Sequence, residues 1–143
     1  MTDLRTDAAL ASALRPVVLR LARRLRQMRS DDHGLSPSQL QPLGWLYREG
    51  PMVIGELAAR EHIRPPSMTR TVNALEAAGL VSREVQPTDR RQCMVSLTEA
   101  GHEMVTADRR RRDAWLAKRM AELSAEERAI LRKAVPILEK VNH

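Results

Sequence analysis

Apolar residues recur three and four positions apart from the start of the chain: Leu10, Leu14, Val17, Val18, Leu21, Leu25 and Met28. That spacing is the stripe of an amphipathic helix. It predicts a helix over residues 6–29, with Arg20, Arg23, Arg24 and Arg26 on the polar face. Pro16 leaves two ways to build it. Ser12 can cap the helix and place Pro16 in the first turn, where N–H groups lack partners anyway. Alternatively, the helix runs through Pro16 with a kink. Residues 30–34 read as a loop. Ser36, Pro37 and Gln39 then make a helix start: a capping serine, a proline at the first helical position and a glutamine completing a capping box. This second helix carries Leu40, Leu43, Trp45, Leu46 and Tyr47, bends at Pro42 and stops near Gly50 and Pro51.

Two short helices follow, over residues 54–61 and 65–78. In the second, Met68, Val72 and Leu75 share one face, and Gly79 suits a left-handed C-terminal cap. The period then changes. Residues 80–86 and 92–97 each read as a strand, with Cys93, Val95 and Leu97 alternating on one side. Residues 87–91 form a polar turn, so the pair is a β-hairpin with a charged tip. Thr98 caps a long helix over residues 99–122. Its middle, residues 107–113, is so polar that the helix is expected to bridge two parts of the molecule. Ser124 and Glu127 make a second capping box. The last helix carries Ile130, Leu131, Val135, Leu138 and Val141 and bends at Pro136. Four helices, a hairpin and two helices define a mainly α fold with a small β-hairpin wing, a winged helix-turn-helix. It divides into an N-terminal helix (1–35), a central lobe (36–98) and a C-terminal helical part (99–143).

Composition agrees with a helical core. Apolar residues make up 43% of the 143, yet Phe is absent and the aromatics are Trp45, Trp115 and Tyr47. Lys and Arg number 24 against 18 Asp and Glu, a formal charge of +6 that favours an anionic polymer as partner. The single cysteine, Cys93, excludes an intramolecular disulfide and fits a reducing compartment. With no long apolar run and no basic-then-apolar N-terminus, neither a membrane span nor a signal peptide is expected. The expected location is the cytoplasm.

The chemistry concentrates on residues 65–78. Opposite Met68, Val72 and Leu75 lie Ser67, Arg70, Asn73 and Ala74, flanked by Thr69 and Thr71. Arginine grips guanine, asparagine grips adenine, and hydroxyls serve either role. An ordinary solvated helix face has similar residues, and the neighbouring hairpin tips the reading toward DNA. No nucleophile–base pair, glycine-rich phosphate loop or paired catalytic carboxylates can be assembled, so neither an enzyme nor a cofactor is expected. His33, His62, His102 and His143 are not at metal-ligand spacing. Cys93 reads as a core thiol, and Arg109–Arg112 as a solvated helix stretch.

Four stretches give the chain a resemblance to the multiple-antibiotic-resistance regulator (MarR) family. They are Gly55-Glu56-Leu57-Ala58, Pro65-Pro66-Ser67-Met68-Thr69-Arg70, residues 75–83, and Asp89-Arg90-Arg91 followed by residues 95–101. The resemblance implies a homodimer whose first and last two helices intertwine, a recognition helix at residues 65–78 and a wing that reaches the minor groove. It matches Arg91 to the family's wing-tip arginine and Asp89 to the acid that orients it. A narrow minor groove attracts such an arginine. The expected binding set for double-stranded DNA is Arg64, Pro66, Ser67, Thr69, Arg70 and Asn73 on the helix, with Asp89, Arg90 and Arg91 on the wing. Arg64 and Val53 stand where such proteins commonly carry capping hydroxyls. The resemblance also suggests repression at a pseudo-palindromic operator, relieved by a small phenolic or anionic effector, with Trp45 and Tyr47 as candidate pocket residues that also suit the core. The rivals are a winged helix that binds protein and a metal or redox sensor using Cys93.

Overall fold

The computed structural model describes residues 3–28, 34–89 and 92–142. The elements run α1 (Asp7–Arg26), α2 (Pro37–Glu49), β1 (Met52–Val53), α3 (Ile54–Arg60), α4 (Pro65–Ala77), β2 (Val81–Val85), β3 (Cys93–Leu97), α5 (Glu99–Ala121) and α6 (Ala125–Val141). The loop expected at residues 30–34 lies largely outside the described residues.

The helix ends follow local chemistry. Thr6 opens α1 by accepting the Ala9 amide at 3.1 Å, so Ser12 is interior and Pro16 sits inside the helix. This removes the alternative in which Ser12 caps. The missing N–H of Pro16 leaves the Ser12 carbonyl without its usual intrahelical donor. Ser36 and Gln39 exchange both bonds of the capping box expected for α2, and Ser124 and Glu127 do the same for α6. Helices α3 and α4 start at Val53 and Arg64 with no side-chain cap. In α4 the deficit is small, because Pro65 and Pro66 carry no N–H that needs a partner. Its other end is closed by a pair of bonds, Gly79 N–H to Glu76 and Leu80 N–H to Leu75, at 2.9 and 3.0 Å. Gly79 takes φ +78° there, the left-handed turn that glycine adopts without cost.

The sheet has three antiparallel strands in the order β1-β3-β2. The hairpin pairs Val81 with Leu97 through Val85 with Cys93, and β1 adds Met52 opposite Val95. Strand β1 leaves no signal in the sequence, because two residues are too few to show a period.

One core joins α2, α3, α4, the sheet and the start of α5. Leu43, Leu46, Met52, Leu57, Met68, Val72, Leu75, Val81, Val95 and Val105 are buried in it. Cys93 is only half-buried and stands outside this cluster, a correction to its reading as a core thiol. It pairs with Val85 toward the hairpin tip. Helix α5 is fixed to the lobe at its first turn. Thr98 caps it through the Gly101 amide, while the Thr98 hydroxyl donates to the Gly79 carbonyl at 2.6 Å and its amide to Leu80.

Further along α5 the polar stretch is not wholly solvated. Asp108 is buried and pairs with Arg111 at 2.8 Å. Arg112 donates to the Leu25 carbonyl at 3.2 Å, and Arg24 and Arg119 each lie over the Trp115 ring. These contacts tie α5 to α1. Neither α1 nor α6 contains a buried residue. No helix among the described residues is long and apolar enough to cross a membrane.

Candidate nucleic-acid interface

The interface begins with a turn. Helix α3 ends as Ile63 N–H returns to the Ala58 carbonyl at 3.0 Å, and His62 takes φ +54° to reverse the chain. Helix α4 leaves from that turn and buries Met68, Val72 and Leu75 completely. Burial of those three fixes its rotation, so Arg70 and Asn73 are exposed and Ser67 and Thr69 half-exposed. Arg64 and Pro66 are exposed at its start. Thr69 and Thr71 donate their hydroxyl protons back to the carbonyls of Pro65 and Ser67, at 3.0 and 3.2 Å. In that arrangement Thr69 offers a ligand only its acceptor lone pairs.

The hairpin stands beside α4. Asp89 is exposed in its turn, where the Gln92 amide donates to the Asp89 carbonyl at 3.1 Å. Arg90 and Arg91, the expected wing contacts, lie outside the described residues.

A link between wing and helix was missed in the sequence. Arg83 on β2 donates to Asn73 Oδ1 at 2.6 Å and to Glu76 Oε1 at 3.0 Å, with a weaker bond to Glu76 Oε2 at 3.4 Å. The hydrogen bond from Arg83 holds the Glu76 carboxyl below its usual range, and the carboxylate raises Arg83 in turn. No local spacing announces this triad, since its members lie on a helix and a strand that only the fold brings together.

Trp45 and Tyr47 are half-buried and packed against the core. The Trp45 indole N–H donates to Glu61, and its ring lies under Arg48 at 4.8 Å and Arg60 at 5.4 Å. Tyr47 packs under Arg109 at 4.9 Å and beside His102. Neither lines the cavity of about 340 Å³ between α1, α2 and α5, whose wall includes Leu25, Arg26, Gln41, Asp108 and Arg112. An apolar groove of about 650 Å³ separates α1 from α6, between Leu14, Val18, Val135 and Leu138. Among the described residues no three metal-ligating side chains gather.

Two short helices joined by a tight turn, the second backed by a core and flanked by a hairpin, define a winged helix-turn-helix, the DNA-reading unit of many regulators. Residues 35–93 match the MarR family. The chain is 48% identical over 133 residues to a helix-turn-helix-type transcriptional regulator of Mycobacterium tuberculosis, covering 93% of this chain and 92% of the relative. It is 32% identical over 100 residues to the helix-turn-helix-type transcriptional repressor MdtR of Bacillus subtilis, covering 68% of this chain and 63% of that protein. A solved transcriptional regulator of Pseudomonas aeruginosa PA01 superposes with a TM-score of 0.83, at 33% identity over 99% of both chains. A MarR family protein from Bacillus stearothermophilus gives 0.80 at 26% identity, over 98% of this chain and 97% of that one. The chain belongs to the MarR family. It is a DNA-binding transcriptional regulator and not an enzyme.

Proposed function

We propose that the chain works in the cytoplasm as a homodimer that represses transcription from a pseudo-palindromic operator and is released by a small anionic effector. The observation that carries the dimer is the pair of helices left uncovered. Leu14, Val18 and Leu21 on α1 and Leu131, Val135 and Leu138 on α6 are 39–63% exposed. An apolar face this continuous destabilises a lone soluble chain and calls for a partner. A second copy supplies the matching face, because a two-fold interface is self-complementary. Two-fold symmetry then presents two α4 helices to successive major grooves roughly 34 Å apart, which is the reason for an inverted-repeat operator.

Arg64, Ser67, Thr69, Arg70 and Asn73 position or read the duplex from α4, with Pro66 shaping its first turn. Arg90 and Arg91 anchor the wings, with Asp89 orienting Arg91. Repression is the default outcome for a dimer seated at a promoter, and the name of the Bacillus relative MdtR supports it. The cavity at the α1–α2–α5 junction, walled by Arg26, Arg112 and buried Asp108, supports a small charged effector. Such a ligand acts only if it binds one lobe spacing better than another.

Sedimentation of the purified protein, followed by gel-shift titration on an inverted-repeat duplex, tests this reading. A dimer whose affinity falls about a thousandfold between roughly 50 and 200 mM salt is expected. A monomer, or affinity indifferent to salt, would overturn it, the latter in favour of a winged helix that binds protein.

A further inference from the structure

We infer that Arg83 sets which end of the Asn73 amide meets DNA, so that α4 reads guanine rather than adenine at the position facing Asn73. The inference rests on the DNA-reading role of α4. An unrestrained asparagine in a major groove pairs with adenine, its oxygen accepting from N6 and its nitrogen donating to N7. Here that oxygen already accepts from the Arg83 guanidinium at 2.6 Å. Arginine has donors only, so the amide must turn Oδ1 toward it. The bond is charge-assisted and stronger than one between neutral groups. An adenine amino group approaching the same oxygen competes with the guanidinium N–H already bonded there. Among the described residues Nδ2 has no partner, and Asn73 is exposed. Asn73 therefore offers the groove a donor. Guanine, with O6 and N7 both acceptors, fits a donor best.

Glu76 completes the device. Its two oxygens receive Nη2 and Nε of Arg83, which fixes the plane of the guanidinium and neutralises it. The Arg83 side chain is only 26% exposed. Arg83 therefore acts through Asn73 as a positioning residue and adds little to phosphate attraction. That separates it from an arginine on the DNA backbone, whose removal lowers the salt slope by about one.

The test is selection from a pool of duplexes with randomised inverted half-sites, using the intact dimer and the variants Asn73→Ala and Arg83→Met. Wild type is expected to favour guanine over adenine about tenfold at one position of each half-site. Asn73→Ala should flatten that position alone. Arg83→Met should move its preference to adenine while the other positions and the salt slope stay as they were. If Arg83→Met does not fold, Arg83→Ala carries the same expectation, because it too removes every guanidinium donor facing Asn73 Oδ1. Guanine retained after loss of Arg83, adenine chosen by wild type, or no position that depends on Asn73 would each overturn the inference. A wild-type pool with no enrichment at all would overturn the DNA-reading role with it.

Discussion

Gly101 stands so close to Leu80 that a Cβ added to it would lie 2.0 Å from the Leu80 carbonyl oxygen. The obstacle is backbone, so it cannot swing aside. The first turn of α5 is thereby pressed onto the start of β2, where Thr98 bonds to both Gly79 and Leu80. We expect Gly101→Ala to destabilise the fold by about 1–3 kcal/mol or more, as overpacking does elsewhere. The check is the midpoint of urea unfolding. Thr98→Ala should cost about 1–2 kcal/mol, through loss of the cap and of the Gly79 bond.

Leu14 and Leu138 face the same groove between α1 and α6. In the proposed dimer, a charge placed there by Leu138→Glu would be buried against the second copy, at a cost of several kcal/mol without a partner. The variant should sediment as a monomer, or as a dimer weakened at least tenfold, while its lobe keeps the helical circular dichroism of the parent. A dimer of unchanged affinity would exclude this face as the interface.

Arg70 is exposed on α4, away from buried Met68, Val72 and Leu75. Arg70→Ala should weaken operator binding by about 1–3 kcal/mol and relax the preference for one base if Arg70 contacts a base edge. Arg91→Ala should weaken binding and leave the dimer intact. A gel shift beside sedimentation separates the two effects.

Acid should loosen two ties by the same logic. Glu76 is held below its ordinary pKa of 4.5 by the Arg83 hydrogen bond, and Glu127 below the same value by the Ser124 amide and then its hydroxyl. A carboxyl whose pKa is depressed on folding contributes stability that is present above its unfolded value and lost as pH falls through the folded one. Glu76→Gln and Glu127→Gln should therefore differ from the parent in urea midpoint at pH 7. That difference should shrink as pH falls below about 4.5. A difference independent of pH would show that neither carboxylate contributes through its charge.

The readable parts of this molecule are those set by neighbours in the chain. Ser36 with Gln39, Ser124 with Glu127, Thr98 and Gly79 mark helix ends because a cap is a bond between residues a few positions apart. The buried face of α4 follows from the spacing of Met68, Val72 and Leu75. What could not be read depends on distant residues meeting. Asn73 looked free to grip adenine until β2 brought Arg83 against it. Arg109–Arg112 reads as a solvated stretch from its charge alone, and only the fold brings Arg112 against the Leu25 carbonyl of α1. Strand β1 exists only because Val95 lies opposite Met52. Trp45 and Tyr47 could be assigned to core or pocket alike, since an amphipathic aromatic suits both.

The prolines that open α4 reshape how this protein can hold a nucleic-acid strand. Most helices greet an incoming phosphate with a crown of amide hydrogens. Here Pro65 and Pro66 contribute none, and the Ser67 amide is turned inward to the Arg64 carbonyl at 3.0 Å. In the proposed complex the grip at that edge would pass to the long side chain of Arg64, which is exposed there. Such an anchor would tolerate small changes in groove width, and added electrolyte would weaken it more readily than a rigid amide cradle.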